Sequence, residues 1–166
     1  MTDQQAIERA RAYFLTEDNI YGCAETTYVV LQEVFGLPNA TDSSPAMVLN
    51  GGVAWRGGIC GAISGAAMAV GRLAEQRVVG HKNAKRTARC IIDRFIDEFQ
   101  AVQGCVDCRD LIGQDIHTDE QHTDFIESGV WRDVCMRQIE FAIRELFLLH
   151  DEQVWSQTVH AVETDS

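Results

Sequence analysis

The sequence predicts an all-α protein, on two observations. Apolar residues recur at helical spacing along most of the chain, and no segment keeps the period-two alternation of a half-buried strand. A hydrophobic share of 46% with only two prolines adds that the chain is compact and globular. The expected architecture is a compact bundle of about five main helices with a glycine- and alanine-rich helix at its centre.

Ala6, Ile7, Ala10, Tyr13 and Phe14 share one face of a first helix, with Thr2 or Asp3 available to cap it. Ala24, Tyr28, Leu31 and Phe35 mark a second, which carries Cys23 in its first turn and stops at Gly36-Leu37-Pro38. Met47-Val48-Leu49 reads as a brief extended piece. From Gly51 to Gly71 the chain is crowded with small residues, and Gly58, Ala62, Gly65 and Ala69 fall on one helical face, where a neighbouring backbone or a cofactor can approach closely. The spacing predicts the central helix to begin near Gly58 to Cys60.

Ala88, Ile91, Ile92, Phe95, Phe99 and Val102 define a fourth helix ending at Gly104. The basic run from His81 to Arg89 reads as its solvated opening face. Asp107 then caps one short turn that starts at Cys108 and closes at Gly113. Residues 115–124 are polar, hold His117 and His122, and read as a surface loop left outside the site. Trp131, Cys135, Ile139, Ala142, Leu146 and Leu149 form the stripe of the last long helix, so Cys135 points inward. A polar, frayed tail is expected from about residue 155.

The 166 residues fit a single domain. A formal charge of −11, from 14 basic against 25 acidic residues, disfavours phosphate backbones and anionic membrane surfaces. The N-terminus shows no basic region followed by an apolar stretch, and the expectation is a cytoplasmic protein without a membrane span. In a reducing compartment the six cysteines are better read as ligands, redox groups or buried small hydrophobes than as permanent disulfides.

Cys23, Cys60 and Cys108 all sit at expected helix starts, where free N–H groups and the helix dipole favour thiolate over thiol. Thiolates are both nucleophiles of disulfide exchange and soft metal ligands, so this placement alone leaves the two uses open. Cys105 and Cys108 form one Cys-x-x-Cys pair. No second pair exists to complete a zinc ribbon or a ferredoxin run. Cys90, near the polar side of its helix, is read as incidental.

Four elements, Gly22-Cys23-Ala24, Gly51-Gly52 leading to Cys60-Gly61-Ala62-Ile63-Ser64-Gly65, Cys108-Arg109-Asp110-Leu111-Ile112-Gly113, and Cys135, together resemble the C_GCAxxG_C_C family of redox-active proteins. The resemblance spans about Gly22 to Leu149. It implies a redox protein with Cys23, Cys60, Cys108 and Cys135 as its characteristic cysteines, with Cys105 as an alternative ligand in the 105/108 pair.

The expected function is electron transfer or redox sensing, with those four cysteines binding an iron–sulfur cluster or another thiolate-ligated metal and Gly22, Gly61 and Gly65 leaving space for it. Thiol–disulfide exchange by the same cysteines, which would make the chain an enzyme, and a non-catalytic binding or assembly module are the alternatives. A redox partner protein and a homodimer are the expected associations.

Overall fold

The computed structural model describes residues 1–18 and 20–164. Its regular elements are all helical, in the order α1 (Asp3–Phe14), α2 (Cys23–Val34), α3 (Gly61–Arg77), α4 (His81–Gln103), α5 (Cys108–Ile112), α6 (Asp119–Ser128), α7 (Met136–Phe147) and α8 (Glu152–Thr164). Among the described residues eight α-helices stand where about five main ones are expected, because α5 is the expected short turn at Cys108, α6 forms within the expected loop, and α8 forms within the expected tail.

Local chemistry accounts for the boundaries. Thr2 caps α1 in a reciprocal pair with Gln5, and Thr118 does the same for α6 with Gln121. The α4, α5 and α6 C-termini close on left-handed Gly104, Gly113 and Gly129. Within α8, Trp155 and Val162 are buried, so the sparse apolar positions in a polar stretch suffice to hold it on the bundle. Asp165 and Ser166, the end of the expected tail, lie outside the described residues.

The α2 and α3 helices pack together most closely, α3 then packs on α4, and α7 crosses α1, α2 and α3. The closeness of the first pair follows from residue size. A Cβ built on Gly65 would stand 2.3 Å from the Ala24 carbonyl oxygen, so only glycine admits the α2 backbone there. Leu31, Ile63, Val70 and Ile139 fill the core around this contact.

One further expectation is corrected: Met47-Val48-Leu49 is a series of turns after a 3₁₀ turn at Ser44–Ala46, not an extended piece. The α3 helix begins at Gly61 with Cys60 as its N-cap, beside the expected start. Among the described residues no helix is long and apolar enough to cross a membrane.

Candidate functional site

Cys23 is the first residue of α2, and its placement depends on an unusual cap. Gly22, at the N-cap, has no side chain to accept from the first turn. Asn50 reaches in instead: its Oδ1 accepts from the Ala24 N–H at 2.9 Å, and its Nδ2 donates to Glu25 Oε2 at 2.9 Å and to the Met47 carbonyl at 3.0 Å. A Cβ on Gly22 would collide with the Asn50 side chain at 2.2 Å. Glu25 Oε2 also accepts the Gly22 N–H, and Ser43 donates to Oε1. Asn50→Ala is therefore expected to lower stability by about 2 kcal/mol, because it strands a backbone donor and removes one of the three hydrogen-bond partners of the buried Glu25 carboxylate. A thermal melt should show the midpoint falling by about 4–8 °C.

The segment after Asn50 is strained. Gly51, Gly52, Val53, Ala54 and Trp55 all have positive φ, from 49° to 71°, and three of them carry side chains, each costing about 1–2 kcal/mol in this conformation. Long-reach backbone bonds hold the turn, among them Ala54 N–H to the Val48 carbonyl at 2.8 Å and Gly57 N–H to the Gly51 carbonyl at 3.0 Å. The turn brings the Gly51 N–H to the Cys23 sulfur and lays Trp55 flat on His122, with ring centroids 3.9 Å apart.

Cys60 and Cys108 are tied to each other through backbone. Cys60 N–H donates to the Val106 carbonyl at 2.8 Å and Cys108 N–H to the Gly58 carbonyl at 2.7 Å, on either side of an antiparallel bridge between Ile59 and Asp107. Cys108 then opens α5, and Cys60 caps α3. Cys135 ends a π-helical turn, Trp131–Cys135, that leads into α7. Such a turn shifts the register of the chain, and π turns frequently mark functional positions.

All six cysteines are free thiols. Cys60, Cys108 and Cys135 are buried and Cys23 is partly so. The four raise one another's pKa: Cys135 feels Cys23, Cys60 and Cys108, Cys60 feels Cys23 and Cys108, and Cys108 feels Cys23. Every pair among the four is thus within electrostatic reach. Cys23, Cys108 and Cys135 line one cavity of about 180 Å³, whose wall also includes Phe14, Trp55, Trp131 and His122.

Burial is the largest influence on each of these thiols and pushes it up, Cys108 to about 12. Backbone N–H groups of Gly51, Ala24, Gly61 and Cys23 itself favour the Cys23 thiolate, and those of Ala62 and Ile63 favour that of Cys60, without overcoming burial. This corrects the expectation that helix starts yield thiolates here: the N–H groups are present, but desolvation outweighs them.

Cys105 is separate. Its thiol responds to burial and then to Asp110 and Asp107, not to the other cysteines, and it is absent from the cavity wall. Cys108 is the member of the 105/108 pair that faces the site. Cys90 lies partly exposed on α4. Gly22 lines the cavity, and a Cβ on Gly61 would stand 2.3 Å from the Cys23 sulfur. Gly65, by contrast, meets the α2 backbone rather than the cavity.

The expected loop at 115–124 is largely helical from Asp119, which places His122 in the cavity wall; burial disfavours its protonation. His117 is exposed at the approach to this helix and takes no part. Sequence reasoning also missed Trp55, Asn50 and Glu25. The Asn-Gly pair at 50–51 was the one local sign of a tight turn there.

Among the described residues no three His, Cys, Asp or Glu side chains converge as ligands of one metal ion. What the elements define is an all-helical protein with four mutually coupled thiols drawn from separate parts of the chain. It belongs to the family described as "Putative redox-active protein (C_GCAxxG_C_C)", whose model matches residues 21–146. Comparison with curated proteins and with solved structures finds no match.

Proposed function

We propose that the chain carries electrons, or senses redox state, through an iron–sulfur cluster held by Cys23, Cys60, Cys108 and Cys135. The observation that supports this most is the pooling of four thiols, three buried and one partly so, in a site whose cavity wall contains no Lys or Arg among the described residues. Four thiolates cannot share such a site without positive charge between them, and iron supplies it.

The donor set, four cysteine thiols brought together from separate elements, suits enclosure of a polynuclear centre. In a cluster the thiolates are distributed over several irons, and backbone N–H groups such as those around Cys23 stabilise the charge on sulfur. When bound, the cluster supplies one-electron chemistry. Cys23, Cys60, Cys108 and Cys135 would hold it, and Phe14, Trp55 and Trp131 line the cavity onto which Cys23, Cys108 and Cys135 open.

Dithiol exchange is the weaker reading, since it requires a thiol activated by a lowered pKa and all four are raised. Protein reconstituted anaerobically with ferrous iron and sulfide is expected to retain both in similar amounts, with broad visible absorbance. Serine at any of the four positions should reduce retention several-fold, whereas Cys90→Ser and Cys105→Ser should not. A wild-type protein that retains neither element, yet forms a reversible disulfide among the four, would overturn the cluster in favour of exchange.

A further inference from the structure

Gln138 lies on α7, one turn beyond Cys135, and is 2% exposed. Its Oε1 accepts from the Cys60 thiol at 3.7 Å. Its Nε2 is sealed from solvent and has no hydrogen-bond partner. An amide carries two N–H donors at that end, and a buried donor without an acceptor destabilises a fold. Leucine or methionine would fill the same space without that penalty, so packing does not account for an amide here.

The acceptor becomes evident when Cys60 is considered as a ligand. A thiolate has no proton to give, and Oε1 would then face a negative sulfur with its own lone pairs. A half-turn of the amide exchanges its two ends, which have nearly the same shape. Nε2 would then meet the anionic sulfur, and the unpartnered donor would be satisfied.

Resting on the iron–sulfur reading above, we infer that Gln138 is a positioning residue that donates a hydrogen bond to anionic sulfur in the loaded site, at the Cys60 thiolate or an inorganic sulfide beside it, and so raises the reduction potential. The bond strengthens as negative charge on sulfur grows, so it favours the reduced state. The one-electron change makes and breaks no covalent bond of Gln138.

The test compares wild type, Gln138→Met and Gln138→Leu in two measurements. In metal-free protein, thermal melts of both variants are expected to match or exceed wild type, because each removes an unsatisfied donor. In protein reconstituted with iron and sulfide, a dithionite titration followed by visible absorbance is expected to show iron and sulfide content unchanged. The same titration should show the oxidised form favoured about tenfold, about 59 mV more negative than wild type.

Three results would overturn the inference. Metal-free variants that melt well below wild type would give Gln138 a structural role. Variants that load normally with an unchanged potential would mean that Nε2 is satisfied by something else, such as an enclosed water. A wild-type protein that takes up neither iron nor sulfide would remove the parent reading and this one together, an outcome distinct from the other two because it appears before any variant is compared.

Discussion

Gly65→Ala is expected to lower the thermal midpoint by roughly 6–12 °C, whereas Gly71→Ala, further along the same helix, should raise it by a few degrees. Both positions are inside α3, where alanine is intrinsically favoured over glycine by roughly 0.5–1 kcal/mol. Their surroundings reverse the outcome. At Gly65 the added methyl meets the Ala24 carbonyl oxygen at 2.3 Å and the carbonyl carbon at 3.1 Å, while at Gly71 nothing stands within 4 Å. The obstruction is main chain, so no rotamer change relieves it, and α2 must move away from α3. Overpacking of this kind costs about 3 kcal/mol at the upper end of its usual range, and each kcal/mol moves the midpoint by about 2–4 °C in a chain of this length. Because α2 begins with Cys23, the shift should also disturb the site. Melts of the two variants followed by circular dichroism decide the matter: a Gly65→Ala protein as stable as wild type would mean that the helices separate freely.

That contrast between two glycines shows how far the sequence alone can be read. Helical periodicity located α1, α2, α4 and the long stretch ending in α7, because each buries one apolar stripe against a common core. The α8 helix was hidden because Trp155 and Val162 carry its docking in a segment that is otherwise polar. The stripe through Gly65 correctly marked a close approach, but nothing local distinguishes a backbone neighbour from a cofactor.

In the site, the cysteines were visible as residue types and their helix-start positions were legible. Only the inward face of Cys135 was legible as burial; that of Cys60 and Cys108 was not, and it reverses the sign of the expected pKa shifts. The left-handed turn through Val53, Ala54 and Trp55 lay beyond local propensity altogether, since branched and aromatic residues disfavour that conformation and only the surrounding contacts impose it. Gln138 was likewise unremarkable until the chain placed it against Cys60.

The metal-free protein is expected to lose stability steeply above about pH 9, and Cys108→Ala should make that loss shallower. The folded Cys108 thiol is raised from 9.0 to about 12, chiefly by burial and then by the negative charges of Cys23 and Asp107, so between those values the unfolded chain releases a proton that the folded chain keeps. Stability falls with pH wherever the unfolded state binds fewer protons. The Cys108 contribution is therefore complete below pH 9, declines by about 1.4 kcal/mol per pH unit above it, and is exhausted near pH 12, a total on the order of 4 kcal/mol. Cys60 and Cys135 are raised well above 9.0 by the same burial and add to the slope. Against a typical net stability of about 5–15 kcal/mol, a loss of this order is a large fraction of the whole and should be measurable in the metal-free chain. Urea titrations at half-unit steps from pH 8 to 11 measure the effect directly. The Cys108→Ala slope should be smaller by about one proton's worth, roughly 1.4 kcal/mol per pH unit. Equal slopes in the two proteins would mean that Cys108 ionises as readily in the fold as out of it, and that burial does not hold this thiol protonated.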